Sequence, residues 1–110
     1  MLPRLLDDGH TVTLDLHGTT VDDAERLIRR TVRLAAERGR SRVTIVHGAS
    51  TSSRQYRNRT IRHVLYDLLD DGALDGVTDA FRLEGSCLLG LAPAQTTDAR
   101  RLTLGDVSGR

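Results

Sequence analysis

The chain has one cysteine, Cys87, and neither lysine nor tryptophan. A lone cysteine excludes an intramolecular disulfide and a cysteine-built zinc site, and its place in the apolar stretch Cys87-Leu88-Leu89 marks it as a packed, reduced thiol. No apolar run approaches the roughly 18 to 20 residues that cross a bilayer, and the N-terminus lacks the basic-then-apolar layout of a secretory signal. A cytoplasmic protein with no membrane partner is therefore expected. Phosphate-loop and dinucleotide fingerprints are missing too, which leaves a small-molecule enzyme without a signature.

What is present is the composition of one soluble domain. With 38% hydrophobic residues in 110, the chain can bury a real core but cannot divide into two. Net charge is only +1, yet it is unevenly spread. Arg38, Arg40, Arg42, Arg54, Arg57, Arg59 and Arg62 occur with no carboxylate among them, and Asp67, Asp70, Asp71, Asp75 and Asp79 follow with no cation. This segregation predicts one positive rim, which would attract phosphates. All 16 cations are arginine, the better bidentate phosphate ligand, although genomic composition alone would also produce that bias.

Two stretches organise the chain, Leu14-Asp15-Leu16-His17-Gly18 and Val46-His47-Gly48. Each ends a β-branched, apolar run and reads as a strand turning toward a helix. A strand-helix-strand unit fills the distance between them. Such units are parallel and right-handed, so both His-Gly pairs should reach one rim of one sheet.

Residues 1–9 read as a lead-in ending in the turn Asp7-Asp8-Gly9. A first strand spans His10 to His17, with Val12, Leu14 and Leu16 on one face and Thr13, Asp15 and His17 on the other. The first helix runs from Thr20 through Arg38, capped by Thr20 and Asp23 and stopped by Gly39. Val21, Ala24, Ile28, Val32 and Ala35 form its buried stripe. Its arginines are explained by pairing, Asp22 with Arg26 and Glu25 with Arg29. The second strand is Arg42 to Val46, and parity leaves the direction of His47 open. A Ser/Arg-rich loop follows, and then a second helix on Ile61, Val64, Leu65, Leu68 and Leu69, with Asn58 or a serine as its cap. Val77 to Leu83 and Cys87 to Leu91 make a hairpin around Glu84-Gly85-Ser86. Residues 93–110 read as a tail, or as an edge strand at Arg101 to Leu104. The expected fold is a two-layer α/β sandwich: a mixed four-stranded sheet, β-α-β-α-β-β, with helices on one face.

The LDLHG strand end, the helix opened by Thr-x-x-Asp and the second strand ending in HG together resemble the Smr (small MutS-related) domain over about residues 10–92. The resemblance implies a fold similar to the C-terminal domain of translation initiation factor 3. It also implies nucleic-acid binding and, as in several members, nicking or cleavage of DNA or RNA. The family's glycine-rich HGxGxG turn is His47-Gly48-Ala49-Ser50-Thr51-Ser52 here, and its Leu-Arg pair is Ile61-Arg62.

Under that resemblance Asp15 and His17 become a candidate acid/base pair, because a carboxylate beside an imidazole fixes the tautomer and raises basicity. His47, or an arginine, would serve the leaving group. Gly18, Gly48, Ser50, Ser52, Ser53, Arg54, Arg57, Arg59 and Arg62 are the candidate phosphate-binding residues, since glycine permits close approach and serine and arginine donate hydrogen bonds. A two-metal mechanism lacks further carboxylates in the basic segment, while Asp15 and His17 could hold one Mg²⁺ or Mn²⁺. Two function classes follow: an endonuclease on structured or branched nucleic acid, or a non-catalytic binding module. With only Tyr56, Tyr66 and Phe81 as aromatics, recognition should rest on shape and backbone more than on bases. A monomer or weak homodimer is expected.

Overall fold

The computed structural model describes residues 3–48, 60–94 and 97–108. Five strands and three helices follow in the order β1 (Arg4–Asp7), β2 (Thr11–Asp15), α1 (Val21–Glu37), β3 (Arg42–Val46), α2 (Ile61–Asp70), β4 (Val77–Arg82), β5 (Ser86–Leu91) and α3 (Leu104–Ser108). The sheet order is β1-β2-β3-β5-β4. β2 and β3 run parallel, and every other neighbour pair is antiparallel. The α/β class and mixed sheet are as expected from the sequence, with one strand more.

Alternation fixes which face is covered. Val12, Leu14, Val43, Ile45, Cys87 and Leu89 are fully buried under the helices, while Thr11, Thr13, Asp15, Thr44 and Val46 stay half-buried on the other side. α1 lies on β2 and β3, and α2 and α3 pack against α1. Its buried residues, Ala24, Leu27, Ile28, Thr31, Val32 and Ala35, repeat at helical spacing. Burial pushes the Cys87 thiol up from its ordinary pKa, which leaves it inert. Among the described residues no helix is long and apolar enough to cross a membrane.

Several local expectations are corrected. Thr60, not Asn58 or a serine, caps α2: its hydroxyl accepts from the His63 amide at 3.2 Å and the His63 ring accepts from the Thr60 amide at 3.5 Å. Histidine thus fills the place that Glu or Gln usually takes in a capping box. On α1, Arg29 pairs with Glu25 as expected, but Arg26 pairs with Asp23 instead of Asp22.

The larger correction concerns both ends of the chain. Arg4–Asp7 is an edge strand, and the C-terminal segment forms α3, with Leu102 and Val107 in the core. Arg40 explains how two weakly patterned segments are held. Arg40 is 2% exposed, and its guanidinium donates to both Asp7 carboxylate oxygens, to the carbonyls of Arg38 and Asp98, and to that of Arg100. Asp7 also accepts from the amides of Leu102 at 2.7 Å and Gly9 at 2.9 Å. Burial is the strongest single influence on the Asp7 carboxyl and raises its pKa. The hydrogen bonds from Arg40, Leu102 and Gly9 together outweigh burial and hold the carboxyl below its ordinary 3.8.

A buried pair of this kind is costly to break from one side. Arg40→Met should lose about 3–5 kcal/mol, because it strands the Asp7 charge, and urea unfolding at neutral pH reads that loss. The double variant Asp7→Leu/Arg40→Met should recover most of it. Because the folded pKa lies below the unfolded one, the Asp7 contribution is complete above pH 3.8 and fades as pH falls below it. The stability gap between wild type and Asp7→Asn should therefore narrow in acid.

Candidate functional site

The parallel pairing sets the site. Asp15 stands in register with Val46, and the ladder continues one step, with the Leu16 amide donating to the Val46 carbonyl at 2.8 Å. Both His-Gly pairs therefore leave the sheet side by side. The first turns sharply: the Thr19 amide donates to Leu16 at 2.9 Å, with Gly18 at φ 83°. Gly48 has φ 84°, and a Cβ there would stand 3.9 Å from Cδ2 of the His17 ring. The His17 imidazole thus lies beside the Gly48 backbone. The β4–β5 hairpin closes the third side, where the Gly85 carbonyl accepts from the amides of His47 at 3.1 Å and Gly48 at 3.0 Å.

Asp15 does something other than polarise the His17 ring. Its Oδ1 accepts from the His17 backbone amide at 3.0 Å, the Asx geometry that braces a turn. His17 itself is exposed, with its ring toward solvent. The carboxylate therefore sets the position of the imidazole through the main chain.

His47 turns the other way, toward the helices, and is 7% exposed. Its Nδ1 lies 2.9 Å from the Gly48 carbonyl, which can only accept, so Nδ1 carries the proton and Nε2 the lone pair of the neutral ring. Nε2 is buried and has no partner among the described residues. The ring meets Tyr66 edge-on, with centroids 6.3 Å apart, and Arg82 stacks over Tyr66 at 4.4 Å while bonding Asp70 at 3.0 Å. This chain of contacts ties β4 and α2 to the end of β3. Arg62, half-buried in the first turn of α2, lies four residues before Tyr66.

Ser50, Ser52, Ser53, Arg54, Arg57 and Arg59 lie outside the described residues. Arg38, Arg40 and Arg42 do not contribute to the His-Gly rim: they precede or begin β3, at the opposite end of the parallel strands, where Arg38 and Arg40 bind Asp106 and Asp7. A hollow of about 470 Å³ lined by Val32, Arg33, Ala36 and Leu74 holds none of the predicted site residues. Among the described residues no three His, Cys, Asp or Glu side chains converge on one point. Sequence reasoning missed Arg4, which β1 places opposite Asp15, and the Tyr66–Arg82 stack. The turn at Asp7-Asp8-Gly9 was the available hint of a β1–β2 hairpin.

The family model described as the Smr domain matches residues 14–82. The chain belongs to the Smr domain family. No curated protein and no solved structure matches it. The matched span opens on the LDLHG strand end and closes at the end of β4, so this Smr domain carries β1, β5 and α3 outside it. Family membership makes it a module of a nucleic-acid-binding class.

The Asx brace yields a direct test. Asp15→Ala should lose about 1 kcal/mol by removing one turn hydrogen bond, whereas Asp15→Asn keeps an acceptor in the same place. Thermal unfolding of the two variants should separate them, with Asn close to wild type.

Proposed function

We propose that this Smr domain binds the phosphate backbone of structured DNA or RNA at the His-Gly rim and cleaves it with His17 as the acid/base group. The observation that carries this reading is the juxtaposition of the exposed His17 ring with the Gly48 backbone, on adjacent parallel strands. Glycines with positive φ let backbone amides approach a phosphate closely. On RNA, the neutral His17 ring takes the proton of a 2′-hydroxyl. That oxygen bonds to phosphorus as the bond to the 5′ oxygen breaks, and the leaving oxygen takes its proton from water. Arg62, with Arg54 and Arg57 of the sequence between β3 and α2, neutralises the charge gathering on the phosphate. Asp15 positions His17, and His47 supports Gly48.

A second reading has its own observation. With the Asp15 carboxylate turned to the main chain and His47 Nε2 buried, the rim also suits a module that grips phosphates without cutting.

Purified protein should cleave end-labelled structured RNA or branched DNA. His17→Ala should abolish cleavage while retaining binding, and Asp15→Ala, which removes the acceptor that positions His17, should reduce it while Asp15→Asn stays near wild type. Parallel reactions with Mg²⁺, Mn²⁺ and chelator define any ion dependence. Salt-sensitive binding with no cutting under any of these conditions would establish the binding module instead.

A further inference from the structure

Of the two histidines at the rim, His17 reaches solvent and His47 is packed inward. What holds the His47 ring decides how Gly48 is presented. The Gly85 carbonyl takes the amides of His47 and Gly48, which fixes the peptide units on either side of His47. The unit that follows Gly48 is left to the imidazole. A glycine at φ 84° can carry that peptide in either of two orientations, because no Cβ opposes the turn. In the structure its carbonyl is drawn to His47, whose Nδ1–H donates to it at 2.9 Å. The flipped peptide would turn the oxygen, an acceptor, away from His47 and toward the side where His17 stands. Proton position and carbonyl direction therefore depend on each other. With the proton on Nε2 instead, the Nδ1 lone pair would repel the Gly48 carbonyl, and the Nε2–H would lie buried with no partner among the described residues.

Resting on the phosphate-binding reading above, we propose that Tyr66 is a positioning residue for the rim: it holds His47 in the placement that keeps the Gly48 carbonyl turned away from the phosphate. The Tyr66 ring meets the imidazole at 85°, with centroids 6.3 Å apart. Tyr66 is itself held from both sides of the chain. Helix α2 carries it, and Arg82 of β4 covers its ring at 4.4 Å while the Asp70 carboxylate accepts from that guanidinium at 3.0 Å. Two elements outside the parallel pair thus bear on a single peptide at the end of β3. Removing the tyrosine ring gives the imidazole room to rotate and to move its proton to Nε2, the form an unconstrained histidine favours. The Gly48 carbonyl then loses its donor, and an oxygen free to face the rim opposes the phosphate there. Tyr66 touches no substrate in this arrangement. Its effect passes through His47.

Long-range ¹H–¹⁵N NMR of the imidazole nitrogens, at a mildly alkaline pH where imidazoles are neutral, reads the His47 tautomer in the full chain without ligand. Fluorescence anisotropy with a labelled RNA hairpin reads binding. Wild type should show Nδ1 protonated and Nε2 bare. Tyr66→Leu should populate the reverse tautomer and weaken hairpin binding about threefold to tenfold, whereas Tyr66→Phe, which keeps the ring, should retain both wild-type properties. In a His47→Ala background the loss caused by Tyr66→Leu should vanish, because the tyrosine acts only through that ring. Arg82→Gln should move the imidazole signals in the same direction to a lesser extent. Circular dichroism checks that each variant folds; if Tyr66→Leu does not, unmoved imidazole signals in Arg82→Gln would overturn the proposal. So would a folded Tyr66→Leu protein with wild-type imidazole signals, or one that loses the same affinity with and without His47, and either result would leave the rim reading intact. Failure of the wild-type protein to bind the hairpin would overturn both, whatever the ring signals show.

Discussion

The parallel pairing of β2 with β3 is the constraint on which the site depends. In a parallel ladder both strands end at the same rim, and the register of Asp15 with Val46 makes the two His-Gly turns coincide to within a residue. A slip of one residue would turn every side chain to the other face. Leu14 and Ile45, both fully buried, oppose such a slip, so the core and the site hold each other in place. The antiparallel return of β5 then brings Gly85 to the same rim, where one carbonyl receives two amides. Three loops are joined there by backbone groups, leaving His17 free to face solvent.

At the other end of the strands a second device holds the flanks. Arg40 is nearly as buried as the leucines around it and is tolerated because Asp7 and three carbonyls satisfy its donors. The pair connects β1 and the segment leading to α3, which lie beyond the span matched by the Smr family model, to the start of β3 within it. It also serves the site indirectly. By fixing Asp7 it fixes β1, which brings Arg4 opposite Asp15 and Leu6 to the edge of the open face.

The sequence revealed what periodicity controls. The alternation of Val12, Leu14 and Leu16 and the helical spacing of Ala24, Ile28 and Val32 belong to elements whose burial repeats, and those elements lie where expected. β1 was missed because four residues of mixed polarity carry too little pattern, and α3 because its single buried valine gives no periodicity. Arg40 looked like one more rim cation, since charge in a sequence does not disclose its partner, and that partner lies 33 residues away. For the site, the proximity of the two His-Gly pairs was legible from topology alone. The orientation of His47 and the turn-bracing role of Asp15 were not, because both depend on how the strand ends bend.

The most direct measurement of the central claim is an amide-resolved NMR titration of the protein with an unlabelled RNA hairpin. If the His-Gly rim is the interface, the earliest and largest shifts fall on His17, Gly18, His47, Gly48 and Gly85, and Ala73 to Gly76 at the opposite end stay in place. Shifts concentrated at that opposite end, with the rim unmoved, would contradict the account.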